Sequence, residues 1–277
     1  TQGNTTMVLS KTFRLAAALV GALAITAPAL ASGDSHGPKI ERQDWTFGGL
    51  FGRFDKAQLQ RGFRVYKEVC AACHGLAIPM RTLSQPGGPG FTEDQVKTLA
   101  AEYKVKDGPN DAGDMFERPG RPSDKFPQPF ANKNAAASAL QVAPPDFSVL
   151  AKARTYQRGF PLFLLDPFLT YQEHGVDYIY ALLNGYSKDD DPNWNDYFPG
   201  NKIAMAKPIS DGAVEYTDGT PKTVQQYAKD VSAFLMWSAE PALEQRKAMG
   251  LKVIIFLMVF ASLLYFTKKR IWENVSH

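Results

Sequence analysis

Cys70-Ala71-Ala72-Cys73-His74 is the stretch on which the reading of this 277-residue chain turns. The pattern C-x-x-C-H is the attachment signature of c-type haem. Two thiols three residues apart can each join one of the two vinyl groups of the porphyrin, and the adjacent histidine is then directed at the iron from the same side. Just upstream, Leu59, Phe63, Tyr66 and Val69 recur at helical spacing. The pentad is therefore expected at the end of a helix whose apolar face can cover a haem edge. The other uses of C-x-x-C fit less well. A thioredoxin-like pair needs a βαβ setting that the flanking sequence lacks. A structural zinc site needs a second pair of ligands, yet the chain has 2 cysteines, and His36, His174 and His277 are scattered singly.

A haem iron held by one histidine needs a sixth ligand if its task is electron transfer, whereas an open position suits ligand binding or oxygen chemistry. Histidine and methionine are the candidates. Met7 lies ahead of the first apolar stretch, and Met249 and Met258 lie in the last one. Met236 sits in an amphipathic run (231–237) that reads as core. Met80 follows His74 too closely to pass round the ring to its opposite face. Met115 and Met205 remain. Met115 lies in a charged segment, DAGDMFERPGRP, expected to be a solvated loop. Met205 lies in Tyr197-Phe198-Pro199-Gly200-Asn201-Lys202-Ile203-Ala204-Met205-Ala206-Lys207-Pro208, where Pro and Gly favour an extended loop and small neighbours let the backbone approach a flat ring. Spacing favours Met205 over Met115. The bland reading, a methionine that only packs, stays open at this point.

Further outward, both ends of the chain carry apolar segments. Lys11 and Arg14 precede an 11-residue run (15–25), and Ala29-Leu30-Ala31 follows it. These are the three parts of a secretory signal, with cleavage expected near Ala31; residues 1–6 stand ahead of Met7. Near the other end, residues 249–267 form an apolar run with one charge, Lys252, long enough at 1.5 Å per residue to cross a bilayer core of ~30 Å. Lys268-Lys269-Arg270 follow at once and favour a cytoplasmic C-terminus. The expected division is a leader over 1–31, a periplasmic haem c domain over 32–247, a transmembrane helix over 248–267 and a cytoplasmic tail over 268–277. The setting would be a bacterial inner membrane. Composition agrees: 44% hydrophobic and 21% charged residues exclude a disordered chain. The formal charge of +3 belongs to the two ends, while residues 32–247 carry a net −2, which argues against nucleic acid as a partner.

A series of blocks in this order resembles the cytochrome c1 family. They begin with Arg61-Gly62-Phe63 and Val65-Tyr66-Lys67-Glu68-Val69 before the pentad, then Arg81-Thr82-Leu83, Pro144-Pro145-Asp146-Phe147-Ser148 and Ala153-Arg154. Asp177-Tyr178-Ile179-Tyr180, Leu183-Asn184-Gly185-Tyr186, the Met205 loop, Asp218-Gly219-Thr220-Pro221, Ala228-Lys229-Asp230-Val231 and Glu240-Pro241 follow, leading into the apolar helix. The pentad alone is common to all c-type cytochromes; the block order is specific.

The resemblance implies a mostly α, class I cytochrome c-like haem domain with long loops, plus one C-terminal transmembrane helix. It implies one haem c attached through Cys70 and Cys73 and held between His74 and Met205, with Arg154 near a propionate, Tyr178 beside the ring, and Pro144 and Pro145 walling the pocket. It also implies a place in the cytochrome bc1 complex, in respiratory or photosynthetic electron transport. The head would accept electrons from the Rieske iron–sulfur protein and pass them to a soluble or membrane-bound cytochrome c, with its anchor beside cytochrome b. No residue would do acid–base catalysis. The chain departs from the family pattern at Leu140-Gln141-Val142, where an asparagine-rich stretch is usual, at Ala206-Lys207 after Met205, and in an insertion over 155–175 that either packs on the head or contacts a partner. Two acidic stretches, 107–114 and 188–191, either steer a basic cytochrome c or are plain solvated loops. The competing functions are another membrane-anchored monohaem cytochrome serving an oxidase or reductase, and a haem enzyme or gas sensor with an open distal site.

Overall fold

Asp55 starts the helix that carries the pentad. In the computed structural model, which describes residues 40–154 and 174–274, the Asp55 side chain accepts a hydrogen bond from the Gln58 amide at 2.8 Å and caps helix α1, Lys56–Glu68. Leu59, Phe63, Val65 and Tyr66 are buried on one side of it. That face packs against helix α6, Val224–Ala239. Phe63 and Tyr66 meet Phe234 at ring-centroid distances of 5.7 and 5.8 Å.

Gly62 explains how close the two helices come. A Cβ at that position would stand 2.1 Å from the Asp230 carbonyl oxygen and 2.7 Å from Phe234 Cβ. Only a hydrogen side chain leaves room for the crossing. Beside it, Arg61 donates from Nε to Asp230 Oδ2 at 2.9 Å and from a terminal nitrogen to Asp218 at 2.8 Å. The Asp230 carboxylate is fully buried but also accepts from Tyr216 Oη and Gln226 Nε2, both at 2.9 Å. A buried carboxylate with this many donors has its hydrogen-bonding capacity met and locks the two helices in one register.

The remaining elements surround this pair. Helix α2, Glu93–Ala101, begins with a capping box between Thr92 and Gln95. Strands β1, Lys104–Asp107, and β2, Phe116–Pro119, pair antiparallel with Lys104 opposite Pro119. Helices α3, Lys133–Leu140, and α4, Leu150–Ala153, are short. Helix α5, Gly175–Asn184, packs on α6 and α4. The buried Asp177 on its first turn accepts from the Gln43 amide at 3.1 Å and from Trp45 Nε1 at 2.7 Å, fastening residues 43–45 to α5. Helix α7, Leu243–Ile271, starts against the head, where Leu243 is buried, and then runs free of it with its apolar side chains exposed. It is long and apolar enough to cross a membrane.

The mostly helical class with long loops is thus the observed one. The leader and residues 155–173 of the insertion lie outside the described residues.

Candidate haem-binding site

Directly after α1 the chain tightens into a 3₁₀ turn, Cys70–Ala72, with the amides of Cys73 and His74 both donating to the Cys70 carbonyl, at 3.1 and 2.9 Å. This turn places Cys70, Cys73 and His74 together, with both cysteines half-buried and unbonded to each other. Burial, with Cys73 adjacent, pushes the Cys70 thiol up to about 12. It is therefore a neutral thiol, unlike the acidified thiolates of redox or nucleophilic sites.

His74 is held more tightly than the sequence foretold. Its Nδ1 lies 2.9 Å from the Pro145 carbonyl oxygen, and its ring stacks on Phe147 with centroids 4.1 Å apart and planes inclined by 19°. A carbonyl oxygen only accepts, so Nδ1 carries the proton and the lone pair sits on Nε2. Burial lowers the basicity of the imidazole, opposed by the Pro145 bond and the nearby Asp146 charge, and the ring is neutral at pH 7. The donor set fits a covalently held haem: the two thiols of Cys70 and Cys73 for the vinyl groups and a neutral, oriented imidazole for the iron.

The segment that supplies Pro145 is stitched to the pentad by its backbone. The Phe147 amide donates to the Gly75 carbonyl at 2.8 Å, and Ser148 Oγ accepts from the Ala77 amide at 2.6 Å. Pro144 and Pro145 stand before this seam, and α4 follows it and ends at Arg154. The seam brings the Pro144-Pro145 stretch against the pentad of Cys70, Cys73 and His74, and Arg154 stands further on, at the C-terminal end of α4. The Arg154 side chain is exposed.

Met205 and Tyr178 belong to a second group. The extended loop expected around Met205 is observed, with no helix between α5 and α6, and Met205 is half-buried. Tyr186 Oη donates to the Met205 carbonyl at 2.9 Å. Asn193 Nδ2 donates to the Ile203 and Ala204 carbonyls at 2.9 and 3.2 Å, and the Ile203 and Lys207 amides donate to the Asn193 and Pro192 carbonyls at 3.0 and 2.9 Å. Two stretches, 192–193 and 203–207, are thus tied together on either side of Met205. Burial, with Tyr178 close by, pushes the Tyr186 hydroxyl above the usual tyrosine range. Helix α4, which ends at Arg154, packs on α5, which carries Tyr178.

Met115 and Met236 fall where the sequence put them, and Met80, set aside for its nearness to His74, is found in the core. Met115 is 63% exposed at the end of the β1–β2 loop, and Met80 and Met236 are buried in the core. In the acidic stretches, Asp191 is engaged with Lys202 and Asp107 with Arg118, while Lys188 lies 3.3 Å above the Trp194 ring. Phe147, Ser148, Tyr186 and Asn193 had no assigned role in the sequence. The aromatic two residues after Pro145 was the available hint for Phe147; a carbonyl acceptor has no sequence signal.

Comparison with known proteins matches the Cytochrome C1 family model over residues 45–275. The chain is 47% identical over 283 residues to a protein of Blastochloris viridis named cytochrome c1, covering 97% of this chain and 98% of that one. It is 42% identical over 252 residues to cytochrome c1 1, heme protein, mitochondrial, of Arabidopsis thaliana, covering 88% and 75% respectively. It is also 55% identical over 240 residues to a Bradyrhizobium diazoefficiens protein named cytochrome b/c1, where 83% of this chain spans 35% of that protein. These matches do not favour an unrelated monohaem cytochrome. The chain belongs to the cytochrome c1 family, the subunits of cytochrome bc1 complexes that carry one covalently bound haem c.

Proposed function

We propose that this chain takes electrons singly from a Rieske iron–sulfur protein and delivers them to a soluble or membrane-bound cytochrome c, with its haem held by Cys70, Cys73, His74 and Met205. The observation that carries the reading is the neutral His74 ring, whose Nδ1 proton is committed to Pro145 while Phe147 fixes the ring plane. Bound haem c supplies a reversible one-electron change at its iron. The chain's own residues set the conditions for it. The Pro145 carbonyl fixes the tautomer and raises the basicity of Nε2. Tyr186 and Asn193 hold the loop that presents Met205, whose neutral thioether raises the potential relative to a second histidine. Arg154 offers a charge-assisted partner for a propionate. No side chain has to gain or lose a proton.

The wider arrangement rests on supporting features. Lys268-Lys269-Arg270 beyond the apolar helix favour a cytoplasmic tail and a periplasmic head, in agreement with a cleaved leader over 1–31. The match to a protein named cytochrome b/c1 supports cytochrome b as the neighbour of the anchor. Affinity purification from gently solubilised membranes tests the assignment: a b-type cytochrome and a Rieske protein co-purify. Exposure of the reduced chain to carbon monoxide tests the ligand set. Slow or absent binding is expected, and rapid binding would return the open-site reading.

A further inference from the structure

Phe51 is 76% exposed, more than any other large apolar residue among those described, the bilayer-facing residues of α7 included. It stands at the tip of a tight loop, Gly48-Gly49-Leu50-Phe51-Gly52. The Arg53 amide donates to the Thr46 carbonyl at 2.9 Å and the Gly48 amide to the Trp45 carbonyl at 2.9 Å. Gly49 has φ +66°, and a Cβ on Gly52 would lie 1.9 Å from the Gly48 oxygen. The loop is built to close on itself while presenting Phe51 outward, with Leu50 half-buried beside it. A large aromatic in water at so confined a tip has no reason in the packing of the head.

The base of the loop is fastened to the first turns of α7. Lys247 Nζ donates to the Phe47 carbonyl at 2.6 Å, and the Phe54 amide donates to Glu244 Oε1 at 2.9 Å. Met249 is the first exposed large apolar residue of the helix. It lies two residues beyond Lys247 and five beyond Glu244, hence ~3 to ~7.5 Å along the axis. The headgroup layer on each side of a bilayer is ~5–8 Å deep. The loop therefore sits at headgroup level if α7 spans the membrane, and a phenylalanine side chain reaches the acyl boundary from there. Arg53, exposed beside the tip, and Lys252 on the helix supply cations at the same level, the composition of an interfacial contact.

We propose that the loop inserts Phe51 into the bilayer surface beside the anchor, giving the head a second point of membrane contact. With the loop already fastened to the start of α7, this second contact restricts tilting of the head against the bilayer. The inference rests on the anchor reading of α7 and not on the haem ligands.

The haem-loaded full chain is reconstituted in vesicles of phosphatidylcholine with a minor share of phosphatidylglycerol, and a nitroxide is attached at Phe51→Cys. Met115→Cys serves as the aqueous reference and Leu257→Cys as the lipid reference. The ratio of oxygen to water-soluble nickel accessibility at position 51 is expected to rise several-fold above that at 115, toward that at 257. A ratio equal to that at 115 overturns the proposal. So does shielding from both reagents, which marks a protein contact instead. A low ratio at 257 would instead show that the anchor reading fails. Leu50→Cys gives the same readout should the first variant not yield haem-loaded protein.

Discussion

Tyr186→Phe isolates one bond of the Met205 loop. The change keeps the buried ring and deletes only the hydroxyl that donates to the Met205 carbonyl at 2.9 Å. A carbonyl left without its partner in a partly buried site costs ~1–3 kcal/mol. The other four bonds of the loop, two from Asn193 Nδ2 and two from backbone amides, remain. The loop is therefore expected to stay folded but to open more often, and 1–2 kcal/mol corresponds to a ~5–30-fold larger open population. Carbon monoxide reaches a six-coordinate ferrous haem only when the methionine is away, so its association should accelerate by the same factor. Global stability should fall by little more than the bond itself, about 2–4 °C in Tm per kcal/mol for a domain of this size. Stopped-flow mixing of the reduced protein with carbon monoxide, alongside thermal melts, reads both quantities. A lowered Tm with unchanged carbon monoxide kinetics would refute the reasoning. It would mean that the bond stabilises the head without presenting a ligand.

Gly62→Ala forces a methyl group to within 2.1 Å of a backbone oxygen of α6, so denaturant unfolding should show a loss of at least ~1–3 kcal/mol; unchanged stability would contradict the observed helix crossing. Asp218 is held at about 2, below its ordinary 3.8, by Thr220 and then Arg61. A depressed carboxylate contributes stability above the unfolded value and loses it as pH falls through the folded one. Melting temperature should therefore drop between pH 4 and pH 2, and Asp218→Asn should flatten that slope, which a pH series of thermal melts measures. In the acidic stretch at 188–191, Asp191 is occupied by Lys202, leaving Asp189 and Asp190 to face a partner. Converting both to asparagine should reduce the ionic-strength dependence of cytochrome c reduction, and stopped-flow rates across a salt series that stay superimposable would reduce these residues to loop solubility.

Several features were legible without coordinates because their chemistry is local. The spacing of Cys70, Cys73 and His74 is a covalent requirement satisfied within five residues. The apolar run over 249–267 is a length matched to a membrane. The loop character of the Met205 region follows from Pro199, Gly200 and Pro208, which interrupt any helix. Elimination among the seven methionines drew on burial, adjacency and membrane location, each of which leaves a mark in sequence.

The rest depended on parts of the chain that meet only after folding. The apolar stripe of α1 was correctly helical, yet its partner is α6 some 160 residues away, and periodicity says which face is buried but never against what. The acceptor for His74 is a backbone carbonyl 71 residues downstream, and a carbonyl is the same group at every position. Met205 is presented by Tyr186 and Asn193 through backbone oxygens as well. Bond-forming residue types and segment lengths are one-dimensional properties, and the amino-acid order alone settled them here. The protonation state of His74, the clamp on the Met205 loop and the seating of the Phe51 loop on the anchor were decided by tertiary structure, because main-chain groups brought together across long separations carry no side-chain identity to read.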